Sequence, residues 1–403
     1  MDITDHEVRN VALAGLCHDL GHGPFSHVFD NHFIRGLQRK AFNSAAEVNG
    51  QKAFWTHEEA SVMMLTDLIE THPTLAEQVT EQDIKDVCNL ILGEKRYSGG
   101  KQRPWLFDIV SNSRSGVDVD KFDYLSRDSK KMNVNHCTFS RDRVMRGARV
   151  VGDQVCYAEE HEFDLKLLYD SRYNLHHDCY QHKTVQALEC LTSDILTETD
   201  GVLYNYLEAI RDPKQYIQLD DSLLSEVRMS TEPELAKARQ LLERFDSRQI
   251  YSCVGEKGLS PEVAAKAGTV TEADIINHAR DSGDLRPEDI VVRRFSINMG
   301  MKDRNPLGGV SFHRLGKDGR YERFSRPPSE MSTMMPEKCQ SNAIRLFVKD
   351  ESKFALASNA FRQYCAEKLG GETHVTRHFS HSQQQQSQVA HLSQSQSQAA
   401  ALI

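Results

Sequence analysis

Apolar residues recur with helical spacing along most of the chain up to about residue 290. Val11–Cys17 is apolar enough for a buried helix, and the glycines and proline of Gly21–Pro24 must end it. Phe25, Phe29 and Phe33 recur at i, i+4 and i+8, which predicts a second helix with these rings on one face. Further helical patterns cover 105–130, 162–211 and 220–250.

The pattern also marks where one helix begins and where strands replace helices. Thr56 is a favourable N-cap, and Glu59 follows three residues later, as in a capping box. After residue 290, β-branched and aromatic residues predict strands. The predicted elements are strands at 290–297, 310–314, 320–324 and 344–348, a hairpin turn at 316–319 and a closing helix at 352–369. The sequence therefore predicts a mainly α protein with a helical body and a small C-terminal α+β lobe.

Length and composition suggest how the chain is divided. Its 403 residues are enough for two or three domains. Residues 380–403 hold eight Gln and six Ser and almost nothing to bury, which predicts a disordered low-complexity tail. We expect a helical domain at 1–289, the α+β lobe at 290–371 and the tail at 372–403. The loop at 95–104 is expected to be exposed.

Charge and cysteine usage exclude several classes of protein. The chain carries 49 Lys and Arg against 58 Asp and Glu, net −9 at pH 7, whereas general nucleic-acid and membrane-surface binders are usually basic. Nine cysteines without a CxxC pair argue against a zinc ribbon or a disulfide framework and indicate free thiols in a reducing compartment. No apolar run approaches the ~18 residues that span a bilayer, and no secretory signal is visible, so we expect no membrane contact.

The densest chemical feature lies between residues 17 and 27. His18, Asp19, His22 and His27 place three imidazoles and a carboxylate around a helix end, among glycines that allow close backbone approach to a ligand. Imidazole nitrogen and carboxylate oxygen together suit Fe, Mn, Zn or Mg. The pattern predicts a divalent metal site; the alternative is a helix-capping aspartate beside a surface histidine.

A second feature places acidic and phenolic groups along one helix face. Asp120, Tyr124 and Asp128 recur at i, i+4 and i+8. Carboxylates at this spacing repel each other unless they bind something, so the stripe suits a metal ion or a sugar hydroxyl. The alternative is an exposed acidic face neutralised by Lys121 and Arg127.

A third feature has the same spacing with the opposite charge. Arg172, His176 and Tyr180 recur at i, i+4 and i+8, and Lys183 follows about one turn later. Two cations, an imidazole and an aromatic ring on one face would suit contacts to phosphate and base. The alternative is a solvated basic face.

Together these features resemble a known family. Its likeness rests on four ordered segments: Ala14–His27, Trp55–Glu58, Gly116–Tyr124 and Tyr180–Lys183. They closely resemble motifs of the HD-superfamily dNTP triphosphohydrolases, in particular the animal enzymes with SAM and HD domains, and the likeness extends from about residue 3 to 370. The resemblance implies a helical HD domain, a divalent metal ion and hydrolysis of a dNTP to deoxynucleoside and inorganic triphosphate.

The resemblance also implies a role for individual residues. The implied metal ligands are His18, Asp19 and Asp120. The implied general acid and base group is His27, supported by Asp30 and His57. Phosphate contacts would come from His22, which belongs to the catalytic group, and from Lys121, Arg172 and Lys183. Tyr124 and Asp128 would contact the ribose 3′ side, and Tyr180 would lie beside base and sugar. His176 and His182 are expected as further substrate-binding residues.

The chain departs from the family in two places. The family's metal site begins with a further His in an upstream helix, so we expect a shortened core without that helix and without a SAM domain. Where the family's allosteric nucleotide site has a basic pair, this chain reads Ala158-Glu159-Glu160, which weakens the expectation of nucleotide-driven assembly. The rival hypothesis is therefore a weak or inactive paralogue that binds nucleotide, single-stranded nucleic acid or full-length subunits. A third is an HD phosphodiesterase or nucleotidase for another phosphate ester.

The remaining expectations come from the resemblance alone. They are a dNTP substrate, an allosteric nucleotide, assembly into a homodimer or homotetramer, and a nuclear or cytosolic location.

Overall fold

The computed structural model describes residues 3–41, 54–94, 103–266, 270–331, 336, 338–371 and 374–375. Most of the loop predicted at 95–104 and nearly all of the tail predicted at 372–403 lie outside these residues. No helix in the described ranges is both long and apolar enough to cross a membrane.

Helices make up most of the described chain, which confirms the mainly α prediction. Their bounds are α1 Asp5–Cys17, α2 Arg35–Ala41, α3 His57–Thr71, α4 Pro73–Ala76, α5 Glu81–Leu92, α6 Phe107–Val110, α7 Val119–Lys131, α8 Arg141–Arg146, α9 Glu162–Leu175, α10 Lys183–Thr197, α11 Tyr206–Ala209, α12 Pro213–Tyr216, α13 Leu223–Met229, α14 Ala236–Asp246, α15 Pro261–Lys266, α16 Glu272–Asn277, α17 Pro328–Met331 and α18 Phe354–Tyr364. Wider π-helical turns occur at Phe29–Ile34, His176–Tyr180 and Cys365–Leu369.

The strands form two four-stranded sheets. Their bounds are β1 Arg149–Val151, β2 Gln154–Ala158, β3 Ser252–Leu259, β4 Ile290–Asn298, β5 Phe312–Leu315, β6 Tyr321–Phe324, β7 Gln340–Val348 and β8 His374–Val375. The sheet orders are β1-β2-β5-β6 and β4-β7-β3-β8. The predicted hairpin is present as the antiparallel β5–β6 pair, and β5 also pairs in parallel with β2. β1, β2 and β3 lie in the part of the chain predicted as mostly helical.

The chain divides into two compact units, each built from two stretches. The first unit comprises Met1–Ile250 and Ser296–Ser341, and the second comprises Tyr251–Phe295 and Asn342–Ile403. The second unit has its own core, in which Ile344, Leu346 and Val348 of β7 and Phe361 of α18 are buried.

Two cores of the first unit support the residues of interest. Ala14 and Cys17 of α1 pack with Leu65 of α3, Leu90 of α5 and Phe107 of α6. A neighbouring core joins α7, α9 and β5; its members include Leu125, Leu165, Leu168, Tyr169 and Phe312. The ends of α1, α3, α7 and α9 are therefore set by buried apolar packing, and these ends carry the chemically active side chains.

Candidate active site

His18, Asp19 and Asp120 each bring one ligand atom to a common point. His18 and Asp19 directly follow α1, and Asp120 lies in the first turn of α7. The distance from His18 Nε2 is 3.3 Å to Asp19 Oδ2 and 3.5 Å to Asp120 Oδ1. Two ligands about 2.1 Å from one ion, at octahedral to tetrahedral angles, lie roughly 3.0–3.4 Å apart, so this spacing suits a divalent cation.

The environment of His18 supports the same conclusion. Its Nδ1 donates to the Gly15 carbonyl at 2.9 Å, which leaves Nε2 facing the two carboxylates. Within the described part of the chain this buried Nε2 has no hydrogen-bond partner. Asp120, and after it Asp19, raise the pKa of His18 to about 9 although burial opposes the shift. A position that attracts a proton this strongly also attracts a metal cation, and one nitrogen with two carboxylates suits Fe, Mn, Zn or Mg.

A second cluster, the imidazole group, consists of His22, His27, Asp30 and His57. His57 Nδ1 hydrogen-bonds to the buried Asp30 carboxylate at 2.7 Å, and His27 Nδ1 lies 3.5 Å from the same oxygen. The His22 ring stacks on His57 with 4.1 Å between centroids. The four side chains of the imidazole group each offer one atom close enough to the others to bind a cation. However, Asp30 and His57 are already hydrogen-bonded to each other. We therefore interpret the imidazole group as a cluster that binds and transfers protons.

The histidines of the imidazole group have different pKa values because their surroundings differ. Burial, and after it the neighbouring His57, lower the pKa of His22 to about 4. The contact with Asp30 raises the pKa of His27 above its ordinary 6.5. Burial alone would raise the pKa of Asp30, but hydrogen bonds from His27 and His57 hold it well below its ordinary value. At neutral pH His22 is therefore neutral, whereas His27, beside an ionised carboxylate, keeps its proton to higher pH than an ordinary imidazole.

Asp19 joins the two clusters. One of its carboxylate oxygens faces His18 Nε2, and the other lies 3.7 Å from His22 Nε2. The metal ligands and the imidazole group are thus neighbours across a single side chain, although Asp120 is separated from His18 by a hundred residues of sequence.

The predicted helix beginning at Phe25 is wrong at its first two residues. Phe25 and Ser26 have φ of 60° and 54°, in the left-handed region that non-glycine residues rarely adopt. The π-helical turn begins only at Phe29, and Phe29 and Phe33 are buried as predicted. The pattern failed because apolar spacing carries no information about backbone handedness. Strained turns of this kind are found most often at functional sites.

The acidic stripe of α7 is present as predicted. Asp120, Tyr124 and Asp128 lie on one face, and their predicted neutralising partners are otherwise engaged. Lys121 Nζ contacts the buried Asp118 at 3.1 Å, and Arg127 pairs with Asp123 at 2.8 Å. Lys121 and Arg127 thus form their ion pairs with Asp118 and Asp123, although their charges also act on Asp120 and Asp128.

The residues Arg172, His176 and Tyr180, here called the cationic strip, lie next to the acidic stripe of α7. Arg172 donates to the backbone carbonyl of Asn298. Burial raises the pKa of the Tyr124 phenol above its ordinary value, and the nearby positive charge of Arg172 opposes that shift. Tyr180 donates to Asp128, and its ring lies edge-on to His176 at 4.9 Å between centroids. The strip is bent, because α9 ends at Leu175 and His176–Tyr180 forms the wider π-helical turn.

His182 and Lys183 lie apart from the strip. His182 Nδ1 accepts the Thr184 N–H at 3.2 Å and so caps α10, and Lys183 is the exposed first residue of that helix. Among the described contacts, none joins either side chain to Arg172, His176 or Tyr180.

Comparison with known proteins agrees with this arrangement. The HD domain family matches residues 2–128, a stretch that contains all three candidate metal ligands. The chain is 30% identical over 366 residues to the putative HD domain-containing protein L394 of Acanthamoeba polyphaga mimivirus, an alignment covering 87% of this chain and 74% of that protein. The chain belongs to the HD-domain family.

Other relatives of this HD-domain chain carry an activity in their names. The chain is 34% identical over 367 residues to the deoxynucleoside triphosphate triphosphohydrolase SAMHD1 homolog of Dictyostelium discoideum, and 30% identical over 408 residues to human deoxynucleoside triphosphate triphosphohydrolase SAMHD1. These alignments cover 90% and 91% of the chain, but 66% and 62% of the relatives. The chain thus spans slightly under two thirds of their length. The matches confirm the resemblance that the motifs predicted.

Sequence reasoning missed the residues that hold the HD-domain site in place. Ser61 of α3 is fully buried; its Oγ donates to the His18 carbonyl at 2.6 Å and accepts the Gly21 N–H at 2.9 Å. Asn298 accepts from Arg172 through its backbone carbonyl and contacts it again through its side-chain oxygen at 3.3 Å. A serine inside a helix and an asparagine at a strand end carry no motif, so no signal in the sequence pointed to them.

Proposed function

We propose that this chain hydrolyses a deoxynucleoside triphosphate to the deoxynucleoside and inorganic triphosphate, with a divalent metal ion. The observation that carries the proposal is the junction at Asp19, which sets a cation site beside the imidazole group of His22, His27, Asp30 and His57. The names of the SAMHD1 relatives support the choice of substrate.

His18, Asp19 and Asp120 are the residues that would hold the metal. A bound divalent cation supplies positive charge to the phosphate oxygens and lowers the pKa of water. Mn, Fe, Zn and Mg all suit one imidazole with two carboxylates. Water adds to the α-phosphorus, the bond from phosphorus to the 5′ oxygen breaks, and triphosphate and a 5′-hydroxyl result.

His27 is the residue we assign to the leaving group. The 5′ oxygen needs a proton as its bond to phosphorus breaks, and a protonated imidazole held by a carboxylate can deliver one at neutral pH. His27 meets this requirement because its Nδ1 faces Asp30, which leaves Nε2 to donate. His57 fixes Asp30 from the other side at 2.7 Å. His22, neutral and stacked on His57, would contact phosphate.

Lys121 and Arg172 are the fixed cations that would face the polyphosphate. A triphosphate carries about four negative charges, and positioned cations stabilise the charge that develops during its displacement. The two side chains flank the same glycine: a Cβ at Gly300 would lie 3.6 Å from Lys121 Cε and 3.6 Å from Arg172 Cδ. Asp118 and Asn298 hold them in place without a substrate.

Tyr124, Asp128, His176 and Tyr180 would form the side of the pocket that faces sugar and base. The Tyr180–Asp128 hydrogen bond presents a carboxylate and a phenol together, a pair that suits a ribose hydroxyl. The described contacts give no support to the phosphate role that the sequence predicted for Lys183, or to a substrate role for His182.

The test is product analysis with matched aspartate variants. Purified chain is incubated with dGTP and Mn²⁺ or Fe²⁺, and triphosphate, orthophosphate and deoxyguanosine are quantified. Asp120→Asn should abolish triphosphate release and lower bound metal. Asp123→Asn, a control on the same helix whose carboxylate pairs with Arg127 on the surface, should retain both. Orthophosphate in place of triphosphate would favour a nucleotidase, and nucleotide binding without any product would favour a regulatory paralogue.

Assembly and location are part of the same proposal. We expect a homodimer or homotetramer, an allosteric nucleotide and a nuclear or cytosolic location, on the basis of the resemblance alone. Light scattering of the purified chain with and without dGTP would measure the number of subunits and whether a nucleotide changes it.

A further inference from the structure

The turn that carries His27 is held in an unfavourable backbone conformation. Phe25 and Ser26 both have φ near +60°, and His27 is the next residue. Local backbone hydrogen bonds run from the Ser26 N–H to the Gly23 carbonyl at 2.9 Å, from the Val28 N–H to the Phe25 carbonyl at 3.1 Å and from the Phe29 N–H to the Ser26 carbonyl at 3.0 Å, but they do not remove the steric cost of two positive φ angles. Consecutive left-handed residues other than glycine persist only where the surroundings enforce them. Contacts from elsewhere in the chain must therefore hold the turn.

A distant stretch of chain supplies two such contacts. Asp221 Oδ1 accepts the Phe25 N–H at 2.8 Å, and the Tyr216 hydroxyl donates to the Gly21 carbonyl at 2.7 Å. Tyr216 is buried at the end of α12, whereas Asp221 is exposed in the turn before α13. Both contacts thus come from six consecutive residues, 216–221, and they bracket the loop that carries His22.

The loop borders open space on this side. A cavity of about 340 Å³ lies between the loop and the distant stretch, lined by His22, Gly23, Pro24 and residues 219–222. Gly23 and Pro24, the two residues before Phe25, therefore border open space on this side. Asp221, which also lines this cavity, accepts the Phe25 N–H and so ties the start of the turn to the distant stretch.

We propose that Asp221 is a positioning residue that holds the Phe25–Ser26 turn so that the His27 imidazole faces Asp30. His27 Nδ1 lies 3.5 Å from the Asp30 carboxylate, at the limit of a hydrogen bond, so a small rotation of the turn breaks the contact. Asp30 itself is buried and fixed by His57, so it cannot follow the ring. The consequence for catalysis rests on the proposed function, since His27 is there the proton donor.

Four variants separate this role from a general effect on folding. Asp221→Ala removes the acceptor, whereas Asp221→Asn removes the charge and keeps a side-chain oxygen. Asp220→Ala removes a neighbouring exposed carboxylate whose contact, with the Ser222 N–H at 2.8 Å, stays within its own turn. Ser26→Gly in the Asp221→Ala background tests the strain directly, because glycine adopts positive φ without steric conflict.

Steady-state triphosphate release gives the catalytic readout. Asp221→Ala should lower kcat about tenfold with KM changed less than about twofold, since misplacing a proton donor affects the chemical step more than binding. Asp221→Asn and Asp220→Ala should stay within about threefold of the unmodified chain, and adding Ser26→Gly should restore much of the loss. Equal kcat in Asp221→Ala and Asp220→Ala, or no rescue by Ser26→Gly, would overturn the positioning role.

Amide hydrogen exchange gives a readout that needs no activity. Exchange in a peptide covering residues 22–28 should quicken in Asp221→Ala and not in Asp221→Asn, while a peptide covering α5 stays unchanged in both. Unchanged exchange at 22–28 would show that Asp221 does not hold the turn. A chain that releases no triphosphate in any variant overturns the proposed function, and the exchange comparison alone then decides whether Asp221 holds the turn.

Discussion

At the scale of single residues, Asp30 organises the candidate site more than any other side chain of the imidazole group. It is buried and ionised, and two imidazoles approach the same carboxylate oxygen. A buried carboxylate without such partners would take up a proton. Asp30 therefore favours the protonated form of His27, and His27 in turn favours the ionised form of Asp30.

Replacing Asp30 should change both rate and pH dependence. In Asp30→Asn the pKa of His27 loses the interaction that raises it, so the fraction of protonated His27 at neutral pH falls. We expect kcat for triphosphate release to drop about 100-fold. The alkaline limb of the kcat profile, where activity is lost as His27 deprotonates, should move to lower pH. Bound metal, measured on the same preparations, should not change; a profile with an unmoved alkaline limb would contradict the assignment of His27.

His176 makes a separate prediction about stability and pH. Burial first, and then the Arg172 guanidinium, lower its pKa from 6.5 to about 3. Because the folded pKa lies below the unfolded one, the unfolded chain takes up a proton first, and stability falls as pH drops from about 6.5 towards 3. Between pH 7.5 and 5 this one group should remove about 2 kcal/mol.

His176→Gln should therefore lose less stability on acidification than the unmodified chain, by about that amount. Urea titrations at pH 7.5 and 5 measure the difference, and His72→Gln, at an exposed histidine, serves as the control. An identical pH dependence in His176→Gln and the unmodified chain would show that His176 is not the group responsible.

At the scale of elements, the sequence predicted what local chemistry decides. Thr56 and Glu59 form the predicted capping box, and α3 begins at His57, so its first turn presents that imidazole. The acidic stripe of α7 could also be predicted, because residues four apart, such as Asp120 and Tyr124, lie on the same face of any α-helix. The left-handed turn at Phe25 and the π-helical turn after Leu175 depend on contacts with distant residues, among them Asp221 and Asp128, which a local pattern cannot contain.

The contact between the loop after α1 and the first turn of α3 gives an element-scale prediction. A Cβ on Gly21 would lie 2.2 Å from the Ser61 nitrogen and 2.3 Å from the His57 carbonyl oxygen. Both are backbone atoms of a packed helix, so they cannot give way cheaply. Gly21→Ala should destabilise the chain by about 3 kcal/mol and lower activity, because the displaced helix start carries His57.

The matched control for Gly21→Ala is Gly36→Ala in α2. A Cβ at Gly36 would meet nothing within 4 Å, and alanine favours the helix by about 0.5–1 kcal/mol. Thermal unfolding of the two variants should therefore shift in opposite directions. Two shifts of the same sign and size would mean that the loop does not press against α3.

At the scale of the whole molecule, the fold joins parts of the chain that no sequence pattern connects. Only the family resemblance predicted that residues 18, 19 and 120 share one metal site. Residue 120 is about a hundred residues from the other two, and helical or strand spacing relates only residues that are close in sequence. The parallel pairing of β2 with β5 joins residues 157 and 312, and the antiparallel pairing of β3 with β7 joins residues 252 and 348. The alternation of apolar and polar residues within a strand does not identify the strand with which it pairs. The sequence pattern therefore could not predict two units that are each built from two separate stretches of chain.

Metal binding tests this long-range closure in one measurement. A ligand that binds only the folded chain stabilises it by about 2.7 kcal/mol when its free concentration is 100 times its Kd. Mn²⁺ should therefore raise the Tm of the unmodified chain by several degrees, and EDTA should reverse the rise. This rise in Tm requires His18 and Asp19 to bind the same ion as Asp120, about a hundred residues away in sequence. Asp120→Asn should therefore lose most of the rise. Asp123→Asn should keep it, because that carboxylate is 57% exposed and faces Arg127. An equal rise in both variants would mean that the ion binds elsewhere and that His18, Asp19 and Asp120 do not form the metal site.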